Sequence, residues 1–195
     1  MAQLVDHLTI DPLPPDFKAG GFSCGQSDVD KYLGTSALRD ELAGVTRTYL
    51  VHDAAELVAY VSVLCDAIEV AHEERPTDHP TAPALKLGLM GVRTDYKKRR
   101  YQDRTIGLWL LDWVVGLARS IAVQAGLRYV TLDSLPDKKL VKWYSDYGFE
   151  DNVGETLARK ILKQALAKSR RVKGKTLEEI DLPSVSMRYD IFLRE

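Results

Sequence analysis

Residues 87–111 constrain the fold more than any other stretch of this chain. Leu87-Gly88-Leu89-Met90-Gly91-Val92 is apolar or glycine throughout, as a strand buried on both faces would be, and Ile106, Leu110 and Leu111 begin an apolar stripe at helical spacing. Between strand and helix stand Arg93, Lys97, Lys98, Arg99, Arg100 and Arg104. A helix N-terminus offers unpaired N–H groups and the positive end of its dipole, and guanidinium groups add charge-assisted hydrogen bonds. The turn therefore predicts an anion site; a solvated basic turn is the alternative.

The stripe continues through Val114, Leu117 and Ile121, which predicts a helix over about 105–124 closed by Gly126. Leu127 to Leu132 reads as the next strand. Strand, long helix and strand predict a parallel crossover, and ligands of such units sit beyond the carboxyl ends of the strands. The loop after Val92 should then lie beside Asp133 to Asp137. Trp109 and Trp113 fall on a neighbouring helix face and are expected to pack against the sheet or a partner, a second copy of the chain included.

The chain before this unit reads as a short strand, Leu8-Thr9-Ile10, stopped by Asp11-Pro12, and then a loop to Gly25. Ser27 is expected to cap a helix with Asp30 three residues on; the helical spacing runs to Gly44 and is divided near Gly34. Arg47 to Val51 and Glu56 to Leu64 form a hairpin signal, Cys65 to Val70 prolong its second strand, and His72 to Pro83 reads as an exposed loop. After Asp137 a helix runs to Tyr147 and ends at Gly148-Phe149. Ser184 to Phe192 alternates as a last strand.

Charge is distributed unevenly. Residues 1–92 hold 6 Lys and Arg against 14 Asp and Glu, and residues 93–195 hold 21 against 14, so halves of −8 and +7 give the net −1. A polyanionic ligand is expected at the second half. Cys24 and Cys65 have no metal-ligand spacing, so no metal is expected and both should remain thiols in a reducing cytoplasm. No apolar run approaches ~20 residues, and Met1 to Asp11 has no apolar signal core, so neither a membrane span nor secretion is expected.

Tyr101-Gln102-Asp103-Arg104-Thr105-Ile106-Gly107, leading into Leu110-Leu111, resembles the pyrophosphate loop of the GNAT superfamily of acetyltransferases. In that pattern a Gln or Arg is followed after two residues by Gly and, one residue later, by Gly or Ala. Gln102 and Gly107 are in register, whereas Asp103 and Thr105 stand where glycine is usual, and a β-branched Thr restricts backbone approach to a phosphate. A second register places the motif at Lys97 to Gln102; the first fits the helix start better and treats Tyr96 to Arg100 as extra loop length. Phe22-Ser23-Cys24-Gly25 and Gly44-Val45-Thr46-Arg47-Thr48-Tyr49 resemble the opening of the branch that contains acetyltransferase toxins of toxin–antitoxin pairs. Trp143-Tyr144-Ser145-Asp146-Tyr147-Gly148-Phe149 is similar to the family's aromatic pair before Gly-Phe.

The resemblance implies an α/β fold of the α+β type. Its central sheet would be mixed but mostly antiparallel, with about six to seven strands flanked by helices, in one domain over 1–195. It implies acetyl-CoA as co-substrate, held by Arg99, Arg100, Gln102, Asp103, Arg104, Thr105, Ile106 and Gly107, with the main chain of Met90, Gly91 and Val92 pairing with the pantetheine arm. Tyr144 would protonate the departing thiolate; a phenol of pKa ~10 can donate to a thiolate of ~8.5 when held close. The plain alternative for Tyr144 is an amphipathic core residue. Asp66, Glu69 and His72 are weak candidates for a base, and a water chain serves equally. The acceptor implied is a primary amine, and within the toxin branch aminoacyl-tRNA, with an antitoxin protein as partner. Glu155 to Lys175 holds 8 Lys and Arg against 1 acid, in a basic helical insertion at about 153–180 that suits tRNA phosphates or is a solvated face. The rival class is a non-catalytic module that keeps the fold with an impaired cofactor loop.

Overall fold

The computed structural model describes residues 4–152 and 184–193. Among the described residues seven strands form one sheet. β1 (Thr9–Pro12), β2 (Arg47–Asp53), β3 (Glu56–Glu69) and β4 (Thr81–Val92) follow one another antiparallel. β4 then pairs parallel with β7 (Tyr129–Ser134), β7 antiparallel with β9 (Val185–Asp190), and β9 with the two-residue β8 (Glu150–Asp151). Mixed and mostly antiparallel, the sheet matches the expectation from the resemblance. The basic stretch at 153–180 lies outside the described residues.

The long helix α3 (Ile106–Gln124) crosses from β4 to β7. Ile106, Leu110, Leu111, Val114, Val115 and Ala118 are buried against the sheet face formed by Ala59, Val61, Val63, Leu85, Leu87, Val130 and Leu132. Each large apolar side chain placed there contributes about 1.5–3 kcal/mol relative to exposure. By length and composition α3 could cross a membrane, but its stripe is the centre of this core. Trp109 and Trp113 pack within the chain, edge-on to Tyr101 at 5.4 Å and to Tyr49 at 4.6 Å between centroids. Helix α4 (Lys138–Tyr147) lies on the same face; Asp137 caps it through Lys139 N–H and Leu140 N–H, and Gly148 ends it in the left-handed region. The opposite face carries α1 (Ser27–Thr35) and α2 (Ala37–Leu42), packed through Leu33 and Ala37 onto Leu50 and Tyr60.

Four local expectations change. β1 runs through Pro12, because as an edge strand it does not need that residue's N–H for the ladder. Ser27 does not cap α1; Asp30 reaches back instead, accepting from the Cys24 N–H at 2.7 Å and the Ser23 hydroxyl at 2.9 Å. α3 ends at Ala125 in extended conformation, and Gly126 adopts no left-handed geometry. The exposed loop is shorter than expected, since β4 already begins at Thr81.

Candidate active site

β4 and β7 pair only from Ala84–Tyr129 to Leu87–Leu132. Beyond this point β4 continues for five residues with β3 on one side and, among the described residues, no strand on the other. Gly88 is the extra residue of a bulge there, between the pairs Val63–Leu87 and Ser62–Leu89. The parting strands open a cleft of about 390 Å3, floored by β4 from Leu87 to Val92 and walled by Asp133 to Leu135, Trp143 and Tyr144. Thr105 and Gly107, at the N-terminus of α3, and Cys24, Gln26 and Val29, from the α1 side, complete it.

Of the residues expected from sequence, Met90, Gly91, Val92, Thr105, Gly107 and Tyr144 line this cleft. The others stand apart. Arg100–Tyr101 (β5) and Arg104–Thr105 (β6) form a small hairpin whose turn is Gln102-Asp103, both left-handed at φ +48° and +62°. The sequence predicts a basic turn and loop here without a hairpin; a two-residue turn with two positive φ values normally announces itself with Asn or Gly. Gln102 occupies its tip. Ile106 is fully buried in the core and does not line the cleft.

Most of the basic residues are engaged elsewhere. Arg93 pairs with Glu56 at 2.8 Å and Asp95 at 2.7 Å, and Arg104 with Asp112 at 3.2 Å. Arg99 stacks on the Tyr96 ring at 3.7 Å and also reaches Asp95. Arg100 donates to the Asp103 carbonyl. Lys97 is the one of the six that lines the cleft. The second register of the motif contains it, and its position beside the β4 end was the signal available.

Tyr144 reaches the cleft from α4, its ring held edge-on by Trp143 at 4.9 Å and Phe149 at 5.7 Å. Burial pushes its phenol up to about 12. Cys24, at the same cleft, is raised to about 11, first by burial and then by its hydrogen bond to Asp30. Dry walls thus disfavour anions that have no partner. Asp66, Glu69 and His72 do not line the cleft; Glu69 pairs with Thr81, at the far end of β4. Among the described residues no group of side chains could hold a metal ion.

A sheet parted between two parallel strands, with a helix N-terminus at the opening, is the GNAT fold. No family model and no curated protein matches the sequence, so the likeness lies in the structure. AtaT complexed with acetyl-methionyl-tRNAfMet is 19% identical over 76% of this chain and 90% of that one, with a TM-score of 0.64. A tyrosine-to-phenylalanine mutant of the AtaT toxin, bound to the C-terminus of the antitoxin AtaR and acetyl-CoA, is 16% identical over 94% and 93%, at 0.66. A tyrosine-to-phenylalanine mutant of KacT is 16% identical over 94% and 95%, also at 0.66.

Proposed function

We propose that the chain is an acetyl-CoA-dependent N-acetyltransferase that acylates a primary amine, with Tyr144 as general acid. The observation that carries this reading is the parted β4–β7 pair with Tyr144 at its wall and the α3 N-terminus at its mouth. The edge of β4 from Gly88 to Val92, which no other described strand pairs on the β7 side, offers main-chain groups to an amide-bearing arm. The first N–H groups of α3 and Lys97 offer positive charge to a diphosphate. Solved relatives in fold that hold acetyl-CoA support the same cofactor.

The reaction follows from these parts. A neutral amine attacks the thioester carbon, a C–N bond forms, and the carbonyl oxygen becomes an oxyanion that a β4 main-chain N–H can hold. The C–S bond then breaks. Tyr144 gives its proton to the departing sulfur, the new ammonium nitrogen loses one to water, and solvent reprotonates the phenolate. At about 12 the phenol is a weaker acid than a free one. Burial acts on a thiolate in the same direction as on a phenolate, as it does at Cys24, so the desolvation that raises Tyr144 also raises the basicity of a sulfur held beside it.

Aminoacyl-tRNA is the acceptor we favour, and an antitoxin the protein partner, because solved relatives in fold were captured with acetyl-methionyl-tRNAfMet and with AtaR. Such a reaction belongs in the cytoplasm. Calorimetry with acetyl-CoA and thiol release in the presence of aminoacylated total tRNA test the proposal together. Micromolar binding with release dependent on the aminoacyl group supports it; no binding at millimolar acetyl-CoA rejects it in favour of a non-catalytic module.

A further inference from the structure

The cleft passes between β4 and β7 and so opens on both faces of the sheet. On the α3–α4 side it meets the helix N-terminus, Lys97 and Tyr144. On the other side the strand alternation sets out a different group of residues. Lys86 is paired with Thr131 across the last stretch of β4–β7 ladder. Its ammonium lies 2.9 Å from Asp133 Oδ2 and 3.9 Å from Asp66 Oδ2, and the Thr131 hydroxyl donates to that same Asp66 oxygen at 3.4 Å. Asp133 follows Leu132, the last β7 residue paired with β4, and is the member of this group that lines the cleft.

We propose that Asp133 receives the acceptor's amine on the face of the sheet away from α3, and that Lys86, itself anchored by Asp66, fixes the carboxylate for that purpose. The inference rests on the acetyl-transfer reading above. It supplies the acceptor half of a site whose other half is built for an anion.

The chemistry fits the position. Attack turns an amine nitrogen into an ammonium, and a carboxylate beside it accepts a hydrogen bond from that nitrogen as the positive charge grows. Asp133 is the one carboxylate among the described residues that line the cleft, so an amine entering there meets a single negative group. A Lys–Asp contact alone would be an ordinary half-exposed ion pair of small stabilising value. Its place at the end of the parted ladder makes it an orienting device. Lys86 reaches the reacting atoms only through Asp133 and is therefore a positioning residue. The arrangement also selects the acceptor class: an amine is drawn in, whereas a carboxylate or phosphate at the same point is repelled.

The test compares Asp133→Asn, Asp133→Glu and Lys86→Gln with the unaltered chain. Aminoacylated total tRNA and methionine amide serve as acceptors, and acetyl-CoA binding is followed separately by calorimetry. Failure of the unaltered chain to bind acetyl-CoA sinks the functional reading itself. Given that binding, Asp133→Asn is expected to raise the acceptor KM at least tenfold while the acetyl-CoA Kd stays within twofold. Asp133→Glu should recover part of the loss, and Lys86→Gln should lie between. The inference is overturned by an acceptor KM within twofold of the unaltered chain in Asp133→Asn, by equal losses for acceptor and acetyl-CoA, or by an unaltered chain that binds acetyl-CoA and acetylates neither acceptor.

Discussion

A Cβ added to Gly91 would stand 2.9 Å from Cε1 of Tyr60, 3.1 Å from Val29 and 3.2 Å from Phe22. Gly91 has no side chain because Tyr60 occupies the space. Tyr60 in turn donates from its hydroxyl to the Val29 carbonyl at 2.7 Å, tying α1 to the sheet beside the cleft. The residue read from sequence as allowing a cofactor to approach thus serves packing on the α1 side.

Gly91→Ala should lower stability by about 1–3 kcal/mol, the cost of overfilling a packed contact. Gly107 makes the contrast. A Cβ there meets Trp143 at 3.4 Å, ordinary contact, so Gly107→Ala should be neutral or up to about 1 kcal/mol stabilising through helix propensity. Denaturant midpoints of the two variants check both; equal effects would contradict the packing account.

Tyr144→Phe keeps the ring contacts with Trp143 and Phe149 and removes the hydroxyl. Loss of a general acid typically costs 10²- to 10⁴-fold in rate. Acetyl transfer in single turnover should fall within that range while acetyl-CoA affinity and melting temperature hold. An undiminished rate would leave Tyr144 as a core residue.

The raised phenol of Tyr144 carries a sign that alkaline titration can read. Its folded value of about 12 exceeds the ~10 of an exposed tyrosine, so its contribution to stability is complete below ~10 and is lost as pH rises through 12. Tyr60 and Tyr147 are raised as well, both chiefly by burial. Unfolding midpoints should therefore fall steeply above pH 10, less steeply in Tyr144→Phe, and transfer should show no loss of the acid below about pH 11. A descending limb near pH 9 that is absent from Tyr144→Phe would contradict this.

The two thiols should separate cleanly. Cys65 is exposed, whereas Cys24 is 3% exposed and raised to about 11. At pH 7.5 a thiol-specific chromogen should count one fast cysteine in the folded chain and two after denaturation, and Cys65→Ser should abolish the fast one. Rapid labelling of Cys24 would show the cleft wall to be open.

Periodicity by itself determined the β2–β3 hairpin, the α3 stripe, the β4–α3–β7 crossover and α4 between its Asp137 cap and Gly148. These are patterns that neighbours in the chain impose on one another. The motif before Gly-Phe likewise picked out the tyrosine that reaches the cleft. Only the tertiary structure decided which cations remain available: Arg93, Arg99 and Arg104 find partners in Glu56, Tyr96 and Asp112, all distant in sequence or across a turn, and Lys97 is left at the opening. It also decided that Gln102-Asp103 turns a hairpin, and that Asp133, Lys86 and Asp66 from three strands meet on one face. Pairing across strands and the competition for partners depend on register and distance, quantities that a linear order of residues does not contain.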